Sequence, residues 1–248
     1  MKKQFLVIIL MYSFVLGFSQ KSKTDSLLLK IQSSSGIERG KALNAAAFLF
    51  RLNNPDTAII LARQGLQIAK ITREQDVTAN SLGLIAESFS YLSQFDSSAQ
   101  YYLNAITIAE KSKNLKKLAS YNNGLGGIFY QLGDFEKAIS YMKIAADIKL
   151  RSNDILYYAV INGNIAAVLQ RLGKYKEAIA ILRDSELKVK TFDNIEILAN
   201  LYNSLGSAYL LESKFKNLDS AEYYYGKNIS LITKPEHEAF RLSNHKYK

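Results

Sequence analysis

Few residues of this chain belong to types that do catalytic chemistry, and their spacing gives them little to act with. His237 and His245 are the only two histidines in 248 residues. They stand near the C-terminus, with no acidic motif that would complete a zinc site. There is no cysteine, which excludes a thiolate nucleophile, a thiolate metal site and a disulfide framework. No Gly-x-x-x-x-Gly-Lys-Ser/Thr loop is present to cradle a phosphate, and no Gly-x-Ser-x-Gly elbow to present a serine. The acidic residues are scattered, with no pair set for acid–base work. Asn123-Gly124-Leu125-Gly126-Gly127 is glycine-rich, but it falls inside a helix, where glycine serves close helix packing rather than a dinucleotide. Asn228-Ile229-Ser230 matches a glycosylation triplet, a pattern short enough to arise by chance. These residues predict no enzyme, no metal and no cofactor.

The formal net charge of +10 raises the question of nucleic acid. The densest basic cluster is Lys111-Ser112-Lys113-Asn114-Leu115-Lys116-Lys117. It has no interleaved aromatics and no base-reading motif, so it reads as a solvated connection and predicts no nucleic-acid partner. A basic surface of this kind favours acidic partner segments or anionic membrane surfaces.

The N-terminus has the three-part layout of an export signal. Met1-Lys2-Lys3 is a basic start, residues 5–18 are uncharged and apolar, and Gly17-Phe18-Ser19 puts small residues at the −3 and −1 positions of a cut after Ser19. The apolar run is shorter than the roughly 20 residues that a bilayer span needs. An uncleaved anchor is the alternative reading of the same segment. Cleavage removes Lys2 and Lys3 and brings the net charge from +10 to +8. No second apolar run approaches spanning length, so no membrane span is expected after cleavage.

The elements that position the remaining residues come from an internal repeat. Leu125, Gly126, Phe129, Gly133, Phe135 and Ala138 recur forty residues later as Ile165, Ala166, Leu169, Gly173, Tyr175 and Ala178. Forty residues earlier stand Ile85, Ala86, Phe89, Phe95 and Ser98; forty after the second copy come Leu205, Gly206, Tyr209 and Phe215. Ala45, Ala46, Leu49 and Ala58 keep the register at the start. Each copy reads as two helices. Phe135, Ala138, Ile139, Met142 and Ala145 fall on one helical face, and Gly133-Asp134 ends one helix and caps the next. Asn54-Pro55-Asp56 and Gln94-Phe95-Asp96 are expected to serve the same purpose in the first two copies. Helix pairs are predicted at 37–72, 76–113, 115–152, 155–190 and 195–233, after an N-terminal capping helix within 20–36. The segment 234–248 is a C-terminal capping helix or the start of a sixth copy. Proline, at only two residues, is as scarce as an uninterrupted helical array requires.

This pattern resembles the tetratricopeptide repeat, a helix-turn-helix unit with a large and a small apolar residue, an aromatic, a Gly-x-Tyr turn and an alanine on the second helix. The resemblance covers about residues 37–233 and implies an all-α, right-handed solenoid of about five repeats. There are departures. The period is 40 rather than about 34, so the helices or their connection are longer. Asn122 and Asn162 stand at the family's tryptophan position in the two best copies. The fifth copy carries three extra residues before Ala221, which predicts a longer turn at Lys216-Asn217-Leu218. The first copy lacks its aromatics, as suits an end unit.

In such arrays the first helices line a concave face, and the resemblance implies that their exposed residues contact bound peptides. Carried onto this register, the candidates are Asn80, Glu87 and Tyr91 in the second copy and Asn123, Tyr130 and Gln131 in the third. Asn164, Gln170 and Arg171 follow in the fourth, then Asn200 and Asn203 in the fifth. An asparagine amide both donates to and accepts from an extended backbone, and an arginine pairs with a carboxylate. The expected partner is a protein or peptide segment. The expected setting is the periplasm or cell envelope of a Gram-negative bacterium, with secretion as the other outcome of export. A signal, an exported array and tyrosine-rich repeats are also similar to the N-terminal region of bacterial sensor kinases and regulators. That gives the alternative reading of an extracytoplasmic sensor portion.

Overall fold

The computed structural model describes residues 25–192, 194–212 and 218–233. The export signal, both histidines and the segment 234–248 lie outside the described residues, as do Phe215, Lys216 and Asn217. Every regular element among the described residues is an α-helix. Helix α1 covers residues 25–33. It is followed by α2 (Gly36–Phe50), α3 (Pro55–Ile71), α4 (Gln75–Tyr91), α5 (Phe95–Lys111) and α6 (Leu115–Gln131). Then come α7 (Phe135–Arg151), α8 (Ile155–Arg171), α9 (Tyr175–Val189), α10 (Ile195–Glu212) and α11 (Leu218–Thr233). Leu218 thus opens α11 rather than belonging to the preceding turn.

The chain forms two compact units, Met1–Lys117 and Leu118–Lys248. In the first, α2 packs on α3, α3 on α4 and α4 on α5, and α2 also reaches α4. Ala47, Ala58, Ala62, Leu84 and Ile85 form a core there, flanked by Phe50, Phe89 and Tyr101. In the second, α7 to α11 pack in sequence and α8 also reaches α10. Its core runs through Ala138, Met142, Ile165, Leu169, Leu182, Leu205 and Tyr224. Contact between alternate helices is what stacked helix pairs produce.

The period of 40 comes from helix length. Helices α3 to α8 each span 17 residues. Three residues join each of them to the next. All of these connections share one geometry. The middle residue is left-handed: Arg73, Ser93, Lys113 and Asn153 at φ 54–57°, Gly133 at 79° and Gly173 at 70°. The next N–H then bonds back to a carbonyl in the last turn, as in Asp134 to Phe129 at 2.9 Å and Lys174 to Leu169 at 2.8 Å. This is a Schellman closure. The residue that completes it is also the N-cap of the next helix, so one residue ends one helix and starts another. Asp134 and Asp154 cap with their side chains, accepting from the N–H of Lys137 and Tyr157. Asn54 accepts from Thr57 in the same way. Gln94 makes no side-chain cap, contrary to the sequence expectation, and Asp96 stands inside the first turn, where its charge opposes the positive helix end.

Four of these six left-handed positions carry a side chain, at a conformational cost of about 1–2 kcal/mol each. Lys113→Gly is therefore expected to raise stability by about 1 kcal/mol, and Gly133→Ala to lower it by a similar amount. Thermal melts of the two variants followed by circular dichroism check both signs.

Within each pair the second helix lays a small residue against the first. Ala58, Ala138, Ala178 and Ala221 are buried in that position. Ser98 also fits there because its hydroxyl donates to the Ala86 carbonyl at 2.7 Å. One turn further on, Phe89 stacks on Tyr101, Phe129 on Tyr141 and Tyr209 on Tyr224, with centroids 5.4–5.6 Å apart. The asparagines at the tryptophan position are buried and bonded: Asn162 donates to Ser185 Oγ at 2.9 Å, and Asn122 to the Leu118 carbonyl at 2.8 Å.

Candidate functional site

The second unit brings eight of the candidates onto three neighbouring first helices. Asn164 Nδ2 on α8 donates to Asn123 Oδ1 on α6 at 3.3 Å. Arg171 Nε on α8 donates to the Tyr130 hydroxyl on α6 at 3.2 Å. Both bridges join residues 41 apart, so adjacent first helices meet one residue off the 40-residue repeat. Ser207 Oγ on α10 donates to Gln170 Oε1 on α8 at 3.3 Å. Asn200 and Asn203 on α10 share with Asn164 a cavity of about 260 Å³ between α8 and α10. Gln131 is exposed at the end of α6. Asparagine amides, a tyrosine, an arginine and a serine thus form one polar face across α6, α8 and α10.

In the first unit the three candidates are placed differently. Asn80 lines a cavity of about 510 Å³ together with Ser26 and Leu27 of α1 and Lys41, Asn44 and Phe48 of α2. Glu87 is engaged within the unit: it accepts from Arg51 Nε at 2.8 Å, and both side chains are less than a third exposed. The Arg51 guanidinium also lies 3.5 Å from the centroid of the Phe48 ring and donates to the Phe48 carbonyl. Tyr91 is about half exposed, and its partial burial and the nearby Glu87 charge push its phenol up. In the basic cluster, Asn114 donates to Asp76 at 2.9 Å, and burial lowers the Lys117 ammonium against the opposing pull of Asp76.

Sequence reasoning missed Gly163, Ser204 and Ser207. The register carried the signal: Gly124, Asn164 and Ser204 are equivalent, as are Gly127, Ala167 and Ser207, and all are small or polar on the first-helix face. The glycine-rich stretch also divides in two. A Cβ on Gly126 would lie 2.6 Å from Met142 Cγ and 2.9 Å from the Ala138 carbonyl oxygen, which is the expected close packing. A Cβ on Gly127 or Gly163 would meet nothing within 4 Å, so helix packing does not explain those two.

A charged cluster fastens the last helices. Glu186 on α9 is buried, accepts from Lys227 Nζ on α11 at 2.9 Å and lies 3.3 Å from Lys190. Tyr224 donates its hydroxyl to the same carboxylate at 3.3 Å. Lys227 also sits 4.7, 5.0 and 5.4 Å from the ring centroids of Tyr202, Tyr223 and Tyr224. Burial alone would raise the Glu186 carboxyl, but the bonds and charges of Lys227 and Lys190 outweigh it and hold it low. Burial together with the Glu186 charge pushes the Tyr224 phenol up to about 12. Among the described residues no group of three His, Asp or Glu side chains is placed to hold a metal. No helix among them is long and apolar enough to cross a membrane.

Helix pairs of fixed length, closed by one kind of turn and stacked through small residues, define a helical-repeat scaffold with a polar face on its first helices. The Tetratricopeptide repeat family model matches residues 116–186, from the start of α6 into α9, and that stretch carries the tetratricopeptide repeat pattern. The fold is similar to that of BtubC (BKLC) from P. vanneervenii, with a TM-score of 0.74 at 18% identity over 93% of this chain and 91% of that one. It is also similar to a Rap protein complexed with Competence and Sporulation Factor, with a TM-score of 0.64 at 15% identity over 89% of this chain and 72% of that one. A third similar structure is the Signal Transduction ATPase with Numerous Domains protein with a tetratricopeptide repeat sensor from Pyrococcus horikoshii. There the TM-score is 0.71 at 15% identity, over 82% of this chain and 32% of that one. No curated protein matches.

Proposed function

We propose that the protein is an exported, non-enzymatic scaffold that binds a protein or peptide segment on the first-helix face of its repeats. The observation that carries this reading is the row of bonding groups on α6, α8 and α10, bridged by Asn123–Asn164, Tyr130–Arg171 and Gln170–Ser207. Such groups suit an extended chain, because each peptide unit offers one donor and one acceptor. The similar Rap structure, solved with Competence and Sporulation Factor, supports ligand binding by this fold. The N-terminal signal pattern supports export to the periplasm or cell envelope. A second reading, favoured by the similar structure described as a tetratricopeptide repeat sensor, makes this chain the extracytoplasmic sensor portion of a signalling protein. Its distinguishing mark is an apolar span and an output domain encoded after the repeats.

The test of the binding face is a displayed random dodecapeptide library, panned against the chain without residues 1–19. Asn123→Ala combined with Asn164→Ala is expected to weaken the selected peptides about tenfold, the equivalent of one or two hydrogen bonds, with little change in melting temperature. Unchanged affinity would remove this face as the site.

A further inference from the structure

The cavity between α8 and α10 has a chemistry of its own. It holds about 260 Å³, below the roughly 300–1,000 Å³ usual for a small-molecule site. No charged side chain lines it. Its polar groups are the amides of Asn164, Asn200 and Asn203 and the hydroxyl of Ser204, set beside the apolar Val160 and Ile197. Asn164 uses one amide proton on Asn123, and its oxygen takes no bond from a described residue. The side chains of Asn200 and Asn203 have no partner among the described residues. The open groups are thus donors and acceptors in similar number. An anion would face too many acceptors, a cation too many donors, and a peptide unit matches both.

Gly163 adds a second, independent observation. It lies inside α8, where glycine is less favourable than alanine by about 1 kcal/mol. Nothing in the unit uses its missing side chain, since a Cβ there would meet nothing within 4 Å. The bare backbone faces the cavity. Its absent Cβ matters only to something laid against the helix from outside.

We infer that this cavity seats one uncharged residue of an extended polypeptide, with the main chain held by Asn164, Asn200 and Asn203 over Gly163. This rests on the first-helix face being the binding face. A charged residue in this position would be desolvated against Val160 and Ile197 with no opposite charge to meet it.

The experiment takes peptides from the dodecapeptide library and measures their binding by fluorescence anisotropy. Each peptide is scanned in turn with lysine, glutamate and backbone N-methylation. One position is expected at which all three changes weaken binding tenfold or more, a loss of about 1.4 kcal/mol. Gly163→Leu, which fills the cavity, is expected to weaken the parent peptide at least as much and to erase that position's sensitivity, with no fall in melting temperature. If Gly163→Leu binds as the wild type does while Asn123→Ala with Asn164→Ala binds weakly, the cavity assignment falls and the face remains the site. If neither variant weakens binding, or the library yields no binder, both readings fall. A peptide that binds more tightly with lysine or glutamate at the seated position also overturns the inference.

Discussion

Lys227→Met is expected to lower the stability of the C-terminal helices by about 3 kcal/mol and to change the sign of Glu186's response to acid. The reason is the environment left behind. Glu186 has a side chain only 5% exposed, and Lys227 is its nearer cation, at 2.9 Å against 3.3 Å for Lys190. Lys190 is 46% exposed and screened by water, so it compensates only in part. Methionine keeps most of the lysine stem but removes the ammonium from the rings of Tyr202, Tyr223 and Tyr224, so their cation–π attraction is lost as well. In the wild type the Glu186 carboxyl is held below its ordinary value of 4.5. Its contribution to stability is therefore complete above that value and is lost as the pH falls through the lowered folded pKa. In the variant, burial, the largest of the influences on this carboxyl, is opposed only by Lys190, and the carboxyl is expected to move up instead of down. Its contribution is then present at low pH and lost as the pH rises through the raised value. The gap in melting temperature between wild type and variant is expected to be wide at pH 7 and to narrow towards pH 4. A gap that stays constant over that range would show that Lys227 acts only by packing. Adding Glu186→Gln to Lys227→Met should recover much of the loss at pH 7, because no buried charge then remains unpaired.

The parts of this structure that were legible in the sequence are those written by local periodicity. A helical face is a pattern over three and four residues, and a stacked repeat writes the same pattern every forty, so Ala138 and Ala178 announce buried contacts before any coordinate is known. The same register put Asn123 and Asn164 on the first-helix face, but the bond between them came only with the structure. The left-handed turns at Arg73, Ser93, Lys113 and Asn153 were not legible. Nothing in the side chains of Arg73, Ser93 and Lys113 favours a positive φ, and only Asn153 is of a type that tolerates it; the backbone closure imposes it on all four. The pairing of Glu87 with Arg51 was not legible, because Arg51 lies 36 residues away at the C-cap of α2, and an ion pair leaves no periodic mark. Gly163, Ser204 and Ser207 escaped because small residues read as packing until the structure shows which of them have a neighbour.

That distinction gives the second large effect, at two adjacent residues of α6. Gly126→Ala is expected to destabilise the protein by about 2 kcal/mol through overpacking. Its new methyl would stand 2.6 Å from Met142 Cγ and 2.9 Å from the Ala138 carbonyl oxygen. Methionine can turn aside, but the carbonyl belongs to the α7 backbone, so the helices must separate. Gly127→Ala, one residue on and about 100° round the helix, is expected to stabilise it by about 1 kcal/mol, because its methyl meets nothing and alanine is the better helix former. Urea denaturation of the two variants side by side reads both signs. A neutral Gly126→Ala would mean that α6 and α7 are not held at the observed approach, and combining it with Met142→Ala should leave part of the cost in place, because the contact with the Ala138 carbonyl remains. Opposite signs at neighbouring glycines would separate the two uses of glycine in this chain. One closes a helix pair. The other leaves a helix surface bare at a cost in stability that no contact within the chain offsets, as expected where a ligand backbone lies against it.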